Sequence, residues 1–258
     1  MNETPVLECN GISVAFGGNQ ALTDVSIRVQ PGFHGLVGPN GAGKTTLFNV
    51  ISAYVRSTAG EVLLQGKNII GARPAAVARH GVARTFQTPK LVQDMTVLEN
   101  VQLGLDGRKG WRNSAAHFGL PHAEREDRLK VGEVLAQLGL DEWSGRLVSS
   151  VPLGLQKQVE IARALVSRPC LLLLDEPAAG VSASDVSRIV EPLKDYVTSH
   201  KLAIVIIEHD LDLVTRLCPT MTVLNFGRVL VTGAPDVVVS VPEVVDAYLG
   251  AGHAAGTG

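Results

Sequence analysis

The sequence predicts an α/β fold in which a buried parallel sheet is preceded by an antiparallel β-layer and interrupted by a helical insertion. Three observations favour this fold: short alternating strands in the first third, helical periodicity in the middle, and two wholly apolar strands around an amphipathic helix in the last third. A chain of 258 residues is long enough to bury a sizeable core in one such domain.

The first third is predicted to form the antiparallel β-layer. The segments Val6–Glu8, Ser13–Phe16 and Val25–Val29 alternate apolar and polar residues or are β-branched, and turn residues separate them. Gly60–Gln65 follows the first helical segment and is a further short strand. We expect this strand to pair with the same layer.

The character of the chain changes at about Thr88. Helical periodicity in Val97–Leu103 and Leu129–Leu138 flanks a polar stretch, residues 106–128, that is rich in Gly, Arg and His. These segments predict a helical subdomain inserted in the core. We expect one domain over residues 1–250, the helical subdomain at about 88–167, and a flexible tail at 251–258.

The last third contains two all-apolar strands, Leu171–Leu174 and Ala203–Ile207. They flank a helix with one apolar face, which predicts a βαβ unit of a buried parallel sheet. Pro192 lies inside the helical pattern, so we expect a kink or a shifted helix boundary there. A hairpin around Asn225–Arg228 and a closing helix, Pro242–Leu249, complete the predicted fold.

The composition is that of a globular protein, with 45% hydrophobic and 19% charged residues, which excludes global disorder. The 23 basic and 25 acidic residues leave a net charge of −2, so the chain has no basic field for nucleic acid or an anionic bilayer. Three cysteines without a CxxC spacing favour a reducing compartment. The sequence has no signal-peptide pattern and no apolar stretch near the roughly 20 residues of a membrane span. We therefore expect a cytoplasmic protein whose membrane role depends on a partner.

A phosphate-binding motif follows the apolar pair Leu36-Val37. The segment Gly38–Thr46 fits the pattern GxxxxGK[ST] and precedes a helical run that begins near Leu47. At average residue usage such a string arises by chance in about one or two per cent of chains of this length. A Gly-rich turn with an incidental lysine is therefore the weaker interpretation.

The residue types of this motif suit a nucleoside triphosphate. Glycines let backbone N–H groups curl around phosphate oxygens, and Lys44 adds a full positive charge to the partial one of the helix N-terminus. Thr45 offers its hydroxyl to Mg²⁺, and Thr46 donates toward a phosphate oxygen. The motif predicts a P-loop NTPase with a RecA-like parallel-sheet core. The predicted nucleotide-binding residues of the loop are Gly38, Pro39, Asn40, Gly41, Ala42, Gly43, Lys44, Thr45 and Thr46.

Polar residues end both apolar strands, at the edge where open α/β sheets bind ligands. Asp175 can hold Mg²⁺ through water, and Glu176 can orient or deprotonate the water that attacks the γ-phosphate. His209 follows the second strand and can hydrogen-bond the γ-phosphate. Without the phosphate loop such residues are typical of a solvated strand end. Together with the loop they predict nucleotide hydrolysis.

The order of these motifs resembles that of an ABC-type ATPase subunit, the nucleotide-binding component of ATP-driven transporters, and the likeness covers nearly the whole chain. It is closest to the importers of branched-chain and other hydrophobic amino acids, because four strings are similar to those habitual in that subfamily. These strings are Arg84-Thr85-Phe86-Gln87, Thr96-Val97-Leu98-Glu99-Asn100-Val101, Glu176-Pro177-Ala178-Ala179-Gly180 and Ala247-Tyr248-Leu249-Gly250.

The resemblance implies further roles. It implies that Phe16 stacks on adenine and that Gln87 touches the Mg²⁺ and the attacking water. It also implies that Val151–Gln156 is the signature segment, whose N–H groups, including that of Gly154, reach the γ-phosphate held by a second subunit. The implied cofactors are ATP and Mg²⁺, and the implied metal ligands are Thr45, Gln87 and Asp175.

Three departures from the family pattern fall near these segments. In the usual signature segment a serine follows a leading leucine, and two glycines lead into a glutamine. This chain retains only Gly154 of that pattern and departs from it at Pro152 and Leu155. Ser182 stands where the family has an aspartate after the catalytic glutamate. The strand before the phosphate loop is one residue shorter than usual and lacks the family's glutamate, so a bulge or shifted pleat is expected there.

The resemblance implies a head-to-tail ATPase dimer at the inner face of the cell membrane. Its partners are integral-membrane permease subunits, a second ATPase subunit and, indirectly, an extracytoplasmic solute-binding protein, and nucleic acid is not among them. A mixed pair of ATPase subunits is favoured over two copies of this chain. The segment Thr88–Glu99, which follows Gln87, is the expected docking surface for a permease.

Two other classes remain open from the sequence. One is a soluble ABC ATPase of nucleic-acid repair or translation, although the long insertions, paired cassettes and basic surfaces of such proteins are not visible. The other is a regulatory nucleotide-binding module with little hydrolysis, which Pro152, Leu155 and Ser182 make conceivable. A phosphotransferase is disfavoured further, because no acceptor site is discernible. The solute is also open among branched-chain amino acids, urea, amides and aromatic acids.

Overall fold

The computed structural model describes residues 4–109 and 121–253. Up to residue 109 the elements are β1 Leu7–Phe16, β2 Asn19–Val29, β3 Gly32–Val37, α1 Lys44–Ile51, β4 Ala59–Leu64, β5 Lys67–Asn68, α2 Pro74–Arg79, β6 Val82–Arg84 and α3 Val97–Lys109. From residue 121 they are α4 Pro121–Gln137, α5 Leu153–Leu165, β7 Leu171–Asp175, α6 Ala183–His200, β8 Ala203–Ile207, α7 Leu211–Leu217, β9 Thr220–Asn225, β10 Arg228–Gly233, α8 Pro235–Val238 and α9 Pro242–His253.

The chain divides into two compact units. The first comprises Met1–Pro74 and Ala203–Gly258, and the second comprises Ala75–Leu202. The predicted division into one domain with an insertion at about 88–167 stays a prediction. Within the described residues, no helix is both long enough and apolar enough to span a bilayer.

An antiparallel sheet of the first unit has the strand order β2-β1-β4-β5, which confirms the predicted β-layer. The two strands predicted at Val6–Glu8 and Ser13–Phe16 are one continuous strand, β1. The Asn10-Gly11 pair does not end this strand, because Gly11 adopts a φ of 63° and the pairing with β2 shifts register between Cys9 and Ile12. A β-bulge therefore replaces the predicted break.

The phosphate-loop strand β3 lies in a second sheet of the first unit, between parallel neighbours β8 and β9. The bulge expected in β3 is wrong, because its pairing with β8 runs in unbroken register from Gly32↔Ala203 to Leu36↔Ile207. The strand accommodates His34 as a buried residue, whose Nε2 lies 2.9 Å from the hydroxyl of Thr222 on β9. Strand β10 pairs antiparallel with β9, as the hairpin prediction requires.

The second unit contains the parallel pair β6 and β7 and the four helices α3 to α6. Predicted helices at 97–103 and 129–138 correspond to α3 and α4, which extend further, while the intervening polar residues 110–120 lie outside the described residues. Gly104 lets α3 approach α5 closely, because a Cβ at this position would lie 2.0 Å from the carbonyl oxygen of Arg163.

Helix α6 continues through Pro192, so the expected shift of its boundary is wrong. Proline at this position leaves the carbonyl of Arg188, four residues earlier, without its helical N–H donor. The side-chain amide of Gln158 on α5 donates to this carbonyl at 3.2 Å. A tertiary hydrogen bond thus replaces the missing helical one.

The last helix, α9, extends four residues beyond its predicted end at Leu249. It includes residues 251–253, which were predicted to belong to the flexible tail. Apolar and small residues at 249–251 continue the helical pattern, so the chain has no helix-breaking proline at the predicted end. The rest of the predicted tail, 254–258, lies outside the described residues.

Candidate functional site

The predicted phosphate loop connects β3 to α1 and depends on two glycines for its backbone path. Gly38 adopts a φ of 147°, and a Cβ on it would lie 2.1 Å from the carbonyl oxygen of Leu224. Gly43 adopts a φ of 102°, and its Cβ would meet the side chain of Leu22 at 2.6 Å. No residue with a side chain fits at either position without displacing a neighbour, so the cradle requires glycine there.

Helix α1 begins at Lys44, three residues before the predicted start. Gly43 precedes it without a side-chain cap, so the N–H groups of the first turn point toward the loop. The Lys44 side chain is buried and its ammonium donates to the carbonyls of Gly38 and Pro39, at 2.6 and 3.0 Å. The loop thus combines backbone donors with one fixed positive charge, while Asn40 and Thr45 are exposed.

In the second unit, Asp175 is the last residue of β7 and is buried. Its Oδ2 accepts a hydrogen bond from the Arg84 guanidinium at 3.0 Å, and its backbone N–H donates to the hydroxyl of Thr85 at 3.4 Å. The Arg84 guanidinium also lies 5.3 Å from the ring centroid of Phe86. Arg84 therefore compensates the buried carboxylate, a role that the sequence analysis did not assign.

Glu176 follows Asp175 with a left-handed backbone, at a φ of 49°. The side-chain amide of Gln87 donates to its Oε2 at 2.6 Å. The structure therefore brings together Glu176, the predicted base, and Gln87, the glutamine that was expected to touch the Mg²⁺ and the attacking water. A left-handed conformation is unfavourable for a residue with a Cβ and must be held by its surroundings.

His209 and Phe16 both belong to the first unit and are exposed. His209 follows β8, and its backbone N–H donates to the carboxylate of buried Glu208 at 3.3 Å. Phe16 is the last residue of β1. The hairpin turn that follows consists of Gly17 and Gly18, which have φ values of 54° and 91°. The contacts predicted for His209 and Phe16 with a nucleotide stay predictions.

The predicted signature segment forms the start of α5, whose first residue is Leu153. Pro152 is the N-cap and contributes no side-chain cap, so the first-turn N–H groups, including those of Gly154 and Leu155, have no intrahelical acceptor. A Cβ on Gly154 would lie 3.0 Å from the side chain of Asp185. Gly154 thus permits close packing of the α5 start against α6.

Ser182, which replaces the family's aspartate, caps helix α6. Its hydroxyl accepts a hydrogen bond from the backbone N–H of Asp185 at 3.2 Å and lies 2.7 Å from the Asp185 carboxylate. Serine is among the best residues at a helix N-cap. The departure therefore has a local structural role.

Two buried charged residues of α5, Lys157 and Glu160, also contact the predicted catalytic segments and were missed by the sequence analysis. They lie three residues apart on one face and are 4% and 3% exposed. Charged residues among the apolar residues of a helix are a signal that could have identified them, because a buried charge needs a specific partner.

The chain is similar to known proteins over nearly its whole length. The ABC transporter family model matches residues 22–179. The chain is 34% identical over 250 residues to the high-affinity branched-chain amino acid transport ATP-binding protein BraF of Pseudomonas aeruginosa, covering 95% of this chain and 98% of that protein. It is 35% identical, with the same coverage, to the corresponding protein LivG of Escherichia coli K12.

Solved structures of ATP-binding cassettes are also similar. A nucleotide-free cassette of an ABC transporter superposes with a TM-score of 0.83 at 32% identity, covering 95% of this chain and 98% of that one. A cassette in its ADP conformation superposes with a TM-score of 0.84 at 33% identity, covering 95% and 99%. The chain therefore belongs to the ABC transporter family, as an ATP-binding and ATP-hydrolysing subunit.

Proposed function

We propose that this chain powers an importer of branched-chain or other hydrophobic amino acids. The observation that carries the ATPase part is the phosphate loop, in which Gly38 and Gly43 shape a cradle of backbone donors around the Lys44 ammonium. The solute class is supported by the relatives named for branched-chain amino acid transport, which match over nearly their whole length.

In this proposal the loop binds the triphosphate of ATP. Lys44 contacts the β- and γ-phosphates, and Phe16 stacks on the adenine. The hydroxyl, amide and carboxylate oxygens of Thr45, Gln87 and Asp175 suit Mg²⁺, a hard cation that prefers oxygen ligands. When bound, Mg²⁺ would neutralise charge on the phosphate oxygens.

Glu176 is the proposed general base. Its carboxylate is held by the Gln87 amide at 2.6 Å, which suits a group that must orient one water molecule and accept its proton. His209 is proposed to donate a hydrogen bond to the γ-phosphate. The N–H groups at the start of α5, with Gly154 among them, are proposed to contact ATP held by a second ATPase subunit.

The proposed partners are integral-membrane permease subunits, which would hold this chain at the inner face of the membrane. Thr88–Glu99 is the proposed docking surface. ATP bound between two ATPase subunits contacts both of them and so favours the closed dimer. Hydrolysis removes contacts that only the closed dimer makes, and the subunits then separate. Site-specific crosslinking from residues 88–99 in membranes tests the docking surface. Crosslinks formed only from other segments would contradict it.

The solute is tested by uptake measurements in the source organism. Deletion of the gene should abolish ATP-dependent uptake of labelled leucine, and wild-type but not Glu176→Gln protein should restore it. Labelled urea and phenylalanine distinguish the other solutes. Normal leucine uptake in the deletion strain, with loss of uptake of another solute, would overturn the proposed amino-acid class but not the ATPase.

A further inference from the structure

Lys157 connects helix α5 to the backbone of the proposed catalytic base. Its ammonium is buried and donates to the carbonyl oxygen of Glu176 at 2.9 Å. The same carbonyl accepts the backbone N–H of Ala179 at 3.1 Å, so two donors converge on the turn that follows β7. A charge-assisted hydrogen bond to a carbonyl is stronger than a neutral one. Lys157 is thus placed to stabilise the left-handed backbone of Glu176.

Glu160, one turn further along α5, contacts the segment that carries Gln87. Its two carboxylate oxygens accept the backbone N–H groups of Phe86 and Lys90, at 3.3 and 2.8 Å. These donors lie on either side of Gln87 in the sequence. The Arg163 guanidinium lies 3.5 Å from the Glu160 carboxylate and compensates its charge. Glu160 therefore holds both sides of the Gln87 loop.

Lys157 thus holds the backbone of Glu176, and Glu160 holds the backbone around Gln87. The side chains of Gln87 and Glu176 are hydrogen-bonded to each other. We propose that Lys157 and Glu160 are positioning residues, which hold the backbones of Glu176 and Gln87 so that the two side chains meet. This inference rests on the proposed role of Glu176 as the base. It assigns a catalytic purpose to the buried charged pair of α5, beyond the N–H groups at the start of the same helix.

The first experiment compares full-length Lys157→Met, Lys157→Arg and Glu160→Gln with wild type in MgATP hydrolysis. Lys157→Met keeps the length of the side chain but removes the ammonium, and it should lower kcat roughly 10- to 100-fold through misplacement of the base. The Kd for ATP should stay within threefold, because neither residue belongs to the phosphate loop. Lys157→Arg should restore much of kcat. Glu160→Gln should lower kcat, as Lys157→Met does.

Matched controls are Lys194→Met and Glu191→Gln, which alter an exposed pair on α6 and should leave kcat unchanged. Thermal denaturation establishes that each variant is folded. A purely structural role of Lys157 would also lower the rate of Glu176→Gln, whereas a positioning role would not. Single-turnover hydrolysis by Lys157→Met combined with Glu176→Gln should therefore equal that of Glu176→Gln alone.

Amide hydrogen exchange gives a readout that does not require hydrolysis. In the chain without nucleotide, Lys157→Met should accelerate exchange of the Ala179 N–H, which shares the Glu176 carbonyl, and Glu160→Gln should accelerate exchange at Phe86 and Lys90. The inference would be overturned if Lys157→Met changed neither the amide exchange nor kcat. It would also be overturned if Lys157→Met lowered the hydrolysis rate equally in the wild-type and the Glu176→Gln proteins. Wild-type protein without ATPase activity would overturn the proposed function instead, and the exchange rates would still decide the positioning role.

Discussion

Lys44 determines the charge of the phosphate loop at the scale of one residue. Its ammonium is held by two loop carbonyls, so Lys44→Ala removes a fixed cation from the proposed triphosphate site. We expect ATP affinity to fall roughly 10- to 100-fold, the effect of losing a hydrogen bond to a charged group. Isothermal titration calorimetry measures this change, and Lys67→Ala, on exposed β5, serves as control. An unchanged Kd for ATP would remove Lys44 from nucleotide binding.

Glu176 is the proposed general base, so its replacement should affect the chemical step rather than the affinity for ATP. Glu176→Gln removes the proposed base but keeps the shape of the side chain and an oxygen that can accept a hydrogen bond from Gln87. We expect turnover to fall by about 10²–10⁴-fold while the Kd for ATP is preserved. A single-turnover assay measures the chemical step, with exposed Glu243→Gln as control. Undiminished turnover would show that another group activates the water.

At the scale of the element, Gly154 governs how the start of α5 packs. An added Cβ would lie 3.0 Å from the side chain of Asp185, tighter than ordinary contact, so Gly154→Ala must displace the start of α5 or that of α6. We expect a loss of about 1–2 kcal/mol of unfolding free energy, typical of overpacking. Urea denaturation of the full chain measures it.

Gly132 in α4 is the matched control, because an added Cβ there meets no atom within 4 Å. Gly132→Ala should raise the unfolding free energy by roughly 0.5–1 kcal/mol through helix propensity alone. Stabilisation by both substitutions would show that the contact with Asp185 does not limit packing.

We expect the stability of the whole molecule to depend on pH through His34, a buried residue at one end of a row of hydrogen-bonded side chains. Burial lowers the pKa of His34 from 6.5 to about 4, and its Nε2 contacts Thr222, whose hydroxyl lies 2.9 Å from that of Thr232. Between these pH values the unfolded chain binds a proton that the folded chain does not. The contribution of neutral His34 is complete above pH 6.5 and is lost as the pH falls toward 4.

This difference in pKa corresponds to on the order of 3 kcal/mol of unfolding free energy. Urea denaturation at several pH values measures the decrease, and His34→Leu should flatten the dependence between pH 6.5 and 4. Exposed His200→Leu is the control. An equally steep pH dependence in His34→Leu would assign the acid sensitivity to other groups.

Several elements could be predicted because their signals are local. The hairpin at residues 225–228 was predicted from its turn residues, and the structure places Phe226 and Gly227 there with φ values of 44° and 75°. The phosphate loop follows in the same way from glycine spacing and a flanking strand. Helix starts were less predictable, since α1 begins three residues before its first apolar residue and α5 begins within the predicted signature segment. The motifs at these starts lack side-chain caps, which are the usual local signal.

Other features depended on neighbours that are distant in sequence. Pro192 locally predicts a kink or a shifted helix boundary, but Gln158, 34 residues earlier, supplies the donor that the carbonyl of Arg188 requires. The charged pair Lys157 and Glu160 is similarly understandable only through its partners at Glu176 and around Gln87.

The sequence by itself determined the residue types on which the proposed chemistry depends: a glycine-rich loop suited to phosphate, acidic strand ends, and a motif order typical of one family. These depend on residue type and spacing, which the chain carries locally. Only the tertiary structure decided how that chemistry is supported. It brings Gln87 into a hydrogen bond with Glu176, and it places Arg84 beside the buried carboxylate of Asp175. It also places the charged pair of α5 in contact with Glu176 and with the segment around Gln87. A buried charge is stable only beside its partner, and that partner is brought near by folding rather than by sequence position.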